Sequence, residues 1–405
     1  MFPLPANTFP PIELSEKDTQ TLEALADFFV QETIQKYQEH RLVNKGIVDT
    51  NTWKKVKQRE DVRVYRERYP THDASEGASA GALHMMPKLI TVGTIRGNLD
   101  DVMYGVVNVS SDAMKLKSAY VGDGFVDWGN LACLIKPTPQ NPFRELSIKW
   151  TVKGHSLLIG TVLRARDNIY IESTGITETK DGERIGYHLQ HSVDLPDARE
   201  LHEYNVVRMK ISFCHLYRQR KEGVVDVFIH GVMCPMGDAP ASLSALTAAE
   251  VSVSVWKNMH CATMKKLAWL VRNNKPTATP AQRGSTCGVC TKNLSSGFSM
   301  TSQKDRTCRL CLEPACSRCR ETHTICFTSA FSDSVIQRKM QFCTSCLKRA
   351  SRASPIEIAV SEMSEGEREL SQISSMSITS STMSGSSMSS AESSSQLLSL
   401  SYLYE

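Results

Sequence analysis

An α+β fold is predicted for the first two thirds of this 405-residue chain, followed by a small cysteine-rich module and a serine-rich tail. Three features predict it. Amphipathic helix patterns bracket a long run of short extended segments, turn residues between those segments favour antiparallel pairing, and beyond Pro280 cysteine replaces apolar residues as the recurring element. The boundaries read as an N-terminal extension over 1–14, an α+β domain over 15–275, a linker over 276–283, a cysteine module over 284–350 and a disordered tail over 351–405.

The first helix is expected over 15–40. Ser15 stands three residues before Asp18, in the manner of a capping box, and Leu22, Leu25, Ala26, Phe29, Thr33 and Tyr37 share one face. From Trp53 to Met233 the pattern is mostly extended, with runs at Val62 to Tyr69, Leu89 to Ile95, Leu146 to Val152, Asn168 to Gly175, Ile185 to Val193, Val206 to Tyr217 and Val224 to Val232. Asp181-Gly182 and Lys221-Glu222-Gly223 are hairpin turns. Pro70 to Pro87 reads as a flexible loop and Asn98 to Val107 as a short helix capped by Asn98. A long closing helix is expected from Thr247, with Glu250 completing its cap, to about Asn273. Its face carries Val255, Trp256, Met259, Ala262, Leu267 and Leu270. Lys266 interrupts that face, with its stem expected along apolar surface and its ammonium outside. Cys133, Cys214, Cys234 and Cys261 read as small core residues, and His188, His191, His215, His230, Arg164 and Arg166, on predicted strands, as solvent-facing or satisfied core groups, with marking a pocket as the alternative.

Eight cysteines then form four Cys-x-x-Cys pairs: Cys287/Cys290, Cys308/Cys311, Cys316/Cys319 and Cys343/Cys346. A two-residue spacing lets one tight turn aim two thiolates at one point, and four sulfurs complete the tetrahedral shell of a structural zinc, so the set implies two Zn2+. Disulfides would need an oxidising compartment, and residues 1–14 do not read as a secretory leader. An iron–sulfur cluster would leave four thiols over, and no βαβ pattern surrounds the pairs as a thioredoxin-like site would require. Large apolar residues are sparse between 282 and 352, too few to fold so short a segment without metal. Cys326 is the unpaired thiol of the module.

The net charge of +4 conceals an asymmetry. Residues 276–352 carry 12 Lys/Arg against 4 Asp/Glu, whereas 353–405 carry 1 against 7. A compact basic module is attracted to an anionic surface, although the same cations can simply solvate it. No apolar run approaches the length of a membrane span. Phosphate-cradling loops, nucleophile elbows and His-Glu-x-x-His are absent, and an all-cysteine shell offers a metal no open coordination position. The expectation is a protein that is not an enzyme.

The run Cys308-x-x-Cys311-x4-Cys316-x-x-Cys319, with Cys287/Cys290 before it and Cys343/Cys346 after it, resembles FYVE-type zinc fingers. That resemblance implies a cross-braced binuclear finger, with one zinc on Cys287, Cys290, Cys316 and Cys319 and the other on Cys308, Cys311, Cys343 and Cys346. The family's basic phosphoinositide motif falls on Lys304, Asp305, Arg306, Thr307, Cys308 and Arg309, without either of its histidines; its Trp-x-x-Asp is missing, and Gln341-Phe342-Cys343 replaces its Arg-Val-Cys. Lys304, Arg306 and Arg309 are therefore the candidate headgroup ligands, and Phe298 and Met300 the candidates for membrane insertion, with Phe298 alternatively filling the finger's core. The first 275 residues resemble START-like lipid-transfer domains, as found joined to FYVE-like fingers in water moulds. The matching features are Trp53 with the strand from Val62 to Arg66, the Leu146 to Trp150 run, the two late hairpins and the closing helix. The resemblance implies a helix-grip fold, an antiparallel sheet wrapped over a long C-terminal helix with an apolar tunnel between.

The functional expectation is a zinc-binding, lipid- or membrane-associated adaptor. Its partners would be an anionic membrane or phosphoinositide, an apolar lipid in the tunnel, and proteins; nucleic acid is not among them. The expected location is cytoplasmic, peripheral on endosomal membranes. The alternative is a protein-interaction scaffold whose finger binds protein and whose START-like domain is empty.

Overall fold

The computed structural model describes residues 2–5, 8–10, 12–69, 86–154, 164–237, 241–273, 285–294, 306–328 and 334–365. The linker over 276–283, most of the loop from Pro70 to Pro87, and the tail beyond 365 lie outside the described residues, as do Phe298, Met300 and Lys304.

Helix α1 (Glu16–Gln38) begins where the sequence places it: Ser15 is extended, and its Oγ accepts the Asp18 N–H at 3.1 Å. It buries Leu22, Leu25, Ala26, Val30, Thr33, Ile34 and Tyr37, then widens into a π-turn over Glu39–Val43. Ten strands follow: β1 (Trp53–Arg59), β2 (Val62–Glu67), β3 (Leu89–Arg96), β4 (Phe125–Ile135), β5 (Glu145–Lys153), β6 (Ala165–Glu178), β7 (Arg184–Ser192), β8 (Val206–Arg208), β9 (Lys210–Lys221) and β10 (Val224–Cys234). Nine of them form one antiparallel sheet in the order β1-β2-β3-β10-β9-β7-β6-β5-β4, while β8 adds a short parallel pairing to β6. Both expected hairpin turns are present, joining β6 to β7 and β9 to β10. Helices α2 (Leu99–Val106) and α3 (Ser111–Val121) interrupt the strands between β3 and β4.

The sheet is covered on both sides. Leu146, Ile148, Trp150 and Val152 of β5 pack with Ile169, Ile171, Leu189 and Leu216 against α1. The other face of β2, β3, β9 and β10 packs Val62, Val64, Ile95, Phe213, Tyr217, Val225 and Val227 against α2 and the closing helices. Those closing helices are α4 (Ala241–Val253) and α5 (Lys257–Asn273), separated by one 3-10 turn at Ser254–Trp256. The sequence predicts a single helix capped at Thr247. The chain instead becomes helical by Ala241 and breaks later, where alternating serine and valine are weak helix formers and Ser254 Oγ donates to the Glu250 carbonyl at 2.9 Å.

Glycine is required where α2 crosses α5, because a Cβ on Gly105 would lie 2.0 Å from the Asn258 carbonyl oxygen. Lys266 also departs from expectation. Its ammonium is buried and paired with Asp101 of α2, and also reaches the Ser351 carbonyl at 3.4 Å. A lysine on a helix enclosed from both sides has no water to reach, so it is paired with a carboxylate instead.

The cysteine module contains the hairpin β11 (Arg320–Thr328) and β12 (Val335–Cys343), then α6 (Thr344–Arg352). It is seated on α5: Met264, Leu267 and Ala268 share a core with Leu310, Ile325, Phe342 and the cysteines. Tyr120 of α3 adds a polar contact, its hydroxyl accepting the Cys326 N–H at 2.8 Å and donating to the Cys326 carbonyl at 3.3 Å. A further helix, α7, runs over 355–365, a segment that composition assigns to the unfolded tail. Ile358 and Ala359 are buried in the α2/α5 core, and Glu362 accepts from the Tyr104 hydroxyl at 3.0 Å and pairs with Arg272 at 3.2 Å. Its apolar residues are few, but they lie on one face and meet a surface that is already formed.

Replacing Gly105 with Ala is expected to destabilise the protein by about 1–3 kcal/mol, since two backbones would have to separate. Urea unfolding checks this, with a lower midpoint and an unchanged m-value expected.

Candidate functional site: two cysteine quartets and a polar interior

The first two cysteine pairs sit on identical turns. The Cys287 N–H donates to the Lys292 carbonyl at 2.8 Å and the Thr291 N–H to the Cys287 carbonyl at 2.8 Å; the Cys308 N–H donates to the Glu313 carbonyl at 2.9 Å and the Leu312 N–H to the Cys308 carbonyl at 3.0 Å. Each turn is closed by a bridge, Thr286 with Asn293 and Thr307 with Pro314. In both, the residue after the second cysteine is left-handed, Thr291 at φ 59° and Leu312 at φ 60°. That conformation is costly for a β-branched or bulky side chain and persists where surrounding bonds over-determine it.

Each turn then receives its other two sulfurs from elsewhere in the chain. Cys287, Cys290, Cys316 and Cys319 form one quartet and Cys308, Cys311, Cys343 and Cys346 the other, with all ligand atoms of a quartet within 4.8 Å of one another. This interleaving is the one that the finger resemblance implies. Cys290 Sγ lies 3.8 Å from Cys316 Sγ, and Cys311 Sγ 3.8 Å from Cys343 Sγ. A tetrahedral shell with metal–sulfur bonds of about 2.3 Å has edges of about 3.8 Å, so the donor set fits a metal ion at each quartet. Backbone amides support the sulfurs: Cys316 N–H points at Cys287 Sγ (3.4 Å), and Cys346 N–H, in the first turn of α6, at Cys343 Sγ (3.4 Å).

Protonation follows from this crowding. Burial opposes charge at Cys287, but the amides of Cys316, Cys290 and Val289 outweigh it and bring the thiol down to about 6. Hydrogen bonds from Cys311 and Cys346 hold Cys308 far below the usual thiol range, while the same contacts push Cys311 up to about 12 and Cys346 upward as well. Four thiolates cannot share one site unless a cation neutralises them. Of the headgroup candidates within the described residues, Arg306 turns its Nη1 onto the Leu294 carbonyl (3.2 Å), bracing the first turn, and Arg309 is exposed.

A second cluster lies inside the α+β domain. Strand β5 alternates Leu146, Ile148, Trp150 and Val152 toward α1 with Glu145, Ser147, Lys149 and Thr151 toward the opposite face. Lys149 is fully buried; its Nζ donates to Asn108 Oδ1 (2.6 Å), to the Asn108 carbonyl (2.9 Å) and to Glu145 (2.8 Å), and it is also in contact with Glu172. Burial opposes the Lys149 charge, but Glu172 and Glu145 outweigh it and raise its affinity for the proton; Glu172, answered by Lys149 and His188, stays ionised well below the usual range. His188 Nε2 is 2.7 Å from Glu172, its ring stacks on His215 at 5.2 Å, and burial keeps it neutral, so it donates to the carboxylate. One acceptor, Glu145 Oε2, has no partner among the described residues.

Sequence reasoning missed Lys149, Glu145 and Glu172, because strict alternation reads as a solvated face when the opposite layer is unknown. The available signal was their occurrence on β5 and β6, strands that each have a long neighbour on both sides. His188, His191 and Arg166 are buried groups, as expected of satisfied core residues, whereas Cys133 is exposed rather than core.

No family model matches the sequence, and no curated protein matches it. Among solved structures, human STARD10 is 14% identical and is matched over 58% of this chain and 82% of that one, with a TM-score of 0.38. Human StAR-related lipid transfer protein 5 is 13% identical over 59% and 97%, with a TM-score of 0.39, and a STAR-related lipid transfer protein fragment from Xanthomonas axonopodis is 15% identical over 52% and 98%, with a TM-score of 0.34. The α+β architecture itself is defined by the strand order and the closing helices.

The buried histidines give the domain a pH dependence. Burial lowers His191 to about 4 and His215 to about 3, against an ordinary value of 6.5. Below about pH 6.5 the unfolded chain binds protons that the native rings refuse, so acid removes stability through that window. Urea midpoints are expected to fall between about pH 7.5 and about pH 5, and His215→Asn to flatten that slope.

Proposed function

We propose that this chain is a non-enzymatic adaptor in which a START-like grip holds a lipid and a FYVE-like binuclear zinc finger braces the helix that closes it. The observation that carries the reading is the pair of interleaved cysteine quartets with 3.8 Å sulfur edges, built directly against α5. An all-sulfur tetrahedral shell suits zinc, which here would supply charge neutralisation and folding energy and offer no open position for chemistry. The lipid reading rests on a sheet face enclosed by helices and lined partly by apolar residues and partly by the Lys149 cluster, a surface suited to a molecule with an apolar body and a polar head. The spare Glu145 acceptor would receive a donor from that head. Peripheral residence on a cytoplasmic, endosomal membrane belongs to the same reading.

The second reading, a protein-binding scaffold with a filled interior, is favoured by the saturation of Lys149, whose ammonium is surrounded by acceptors from this chain alone.

Elemental analysis of the purified full chain is expected to return two zinc ions per protein. Excess chelator should lower helical circular dichroism beyond the loss of the finger itself, because α5 loses its apolar support; an absence of stoichiometric metal would remove the zinc finger from the reading. Mass spectrometry of small molecules extracted from the same protein separates the two readings. A co-purifying lipid supports the adaptor, and an empty interior supports the scaffold.

A further inference from the structure

The end of α1 carries a feature that neither the finger nor the interior uses. The π-turn and the loop after it expose three aliphatic side chains within six residues: Leu42 is 60%, Val43 71% and Ile47 70% exposed. The turn is held by its own backbone, with the Asn44 N–H on the Glu39 carbonyl (3.0 Å), the Gly46 N–H on the His40 carbonyl (2.8 Å) and the Ile47 N–H on the Asn44 carbonyl (2.9 Å). Lys45 and Gly46 both adopt positive φ there, and a Cβ on Gly46 would meet nothing within 4 Å. These side chains therefore project from an ordered, open turn, and single π-turns recur at functional positions.

Beside the turn runs a groove of about 400 Å³ whose walls include Arg41, Gly46, Arg63 and Arg220. Two acids face it. Asp226 is already engaged by Arg218 at 2.7 Å and Arg220 at 2.6 Å, while Asp61 is exposed. Arg63 is exposed and has no acid partner among the described residues, and Lys45 stands on the turn itself in the same condition. Arg41 is tied to Glu183 at 2.7 Å, yet its Nε is buried with no acceptor among the described residues. The groove thus holds more guanidinium donors than its own acids consume. The first two strands extend the bias along the sheet edge, where Lys54, Lys55, Lys57, Arg59, Arg63 and Arg66 outnumber the acid Glu67.

Projecting aliphatic groups next to unspent arginine donors suit one partner: a bilayer with phosphate-bearing headgroups, in which the aliphatics enter the acyl boundary while the guanidiniums hold phosphate oxygens. A protein partner would be expected to meet exposed aromatic anchors; the turn carries none, and the aromatics that wall the groove, Tyr37 and Phe228, are buried. We infer that the turn at residues 42–47 and the adjacent arginine groove form a membrane-docking site for anionic phospholipid, separate from the finger's basic motif. This goes beyond the adaptor reading and does not depend on the interior holding a lipid.

Vesicle co-sedimentation of the zinc-loaded full chain tests it, with phosphatidylcholine vesicles alone and with vesicles that also contain a phosphoinositide. The wild type is expected to bind the second kind and not the first. The variant Leu42→Ser/Val43→Ser/Ile47→Ser and the variant Lys45→Ala/Arg63→Ala should each lose about tenfold or more in partitioning, and as exposed substitutions they should keep the wild-type circular dichroism. A Val43→Trp reporter should shift its emission to the blue on binding. Binding that survives both variants but disappears in Lys304→Ala/Arg306→Ala would assign the membrane to the finger and overturn the inference. Failure of the wild type to sediment would overturn it too, as would equal affinity for a soluble inositol phosphate and for vesicles, since the aliphatic turn would then contribute nothing. Whether a lipid co-purifies with the interior is a separate result and leaves this inference where it stands.

Discussion

Helix α5 is packed on two sides, against α2 and against the cysteine module, and most of the architecture depends on that. Toward the sheet it meets α2 so closely that position 105 accepts only glycine; toward the module it contributes Met264, Leu267 and Ala268 to a core that otherwise consists of sulfurs and a handful of apolar residues. The module has too little apolar surface of its own to fold, and α5 would expose apolar surface without it. Each therefore supplies what the other lacks. The Lys266–Asp101 pair follows from the same enclosure, because an ammonium trapped between two layers must find its counter-charge inside the protein.

Much of this was legible in the sequence. The extended runs of β5, β6, β7 and β10, the hairpin turns at Asp181-Gly182 and Glu222-Gly223, the Ser15 cap and the four cysteine pairs are local signals, and local geometry decides them, whereas the single strand expected over Val206 to Tyr217 is two, β8 pairing parallel to β6 and β9 antiparallel to β7. Misread features depended on partners distant in the chain. Strand β4 has three register shifts against β5 and carries Gly129 and Asn130 within it, so its period is blurred. Helix α7 contains only a few apolar residues and looks like tail until the groove between α2 and α5 is known. The buried lysines are the clearest case: Lys149 goes unremarked on an alternating strand, and Lys266, although set in an apolar helix face, is expected to carry its ammonium to water because nothing local reports that a second layer closes over it.

The cysteine quartets show where spacing stops and topology begins. Four Cys-x-x-Cys pairs can be joined two by two in three ways, and nothing local distinguishes them. In the structure, the first turn takes its remaining ligands from the strand-entry turn at Cys316 and Cys319, while the second takes them from the junction of β12 and α6. Each candidate metal position thus joins segments that the other does not, and closing the first quartet across Cys287 to Cys319 loops the chain around the Cys308/Cys311 turn that belongs to the second.

The return of α7 to the α2/α5 groove has a further consequence for how the molecule can be divided. A truncation at the end of α5, where the sequence changes character, would leave Met264, Leu267, Tyr104 and the seat of Ile358 facing solvent all at once. The change in composition near residue 275 therefore marks a seam in the text of the chain and not in its packing, since the parts on either side of it share two cores.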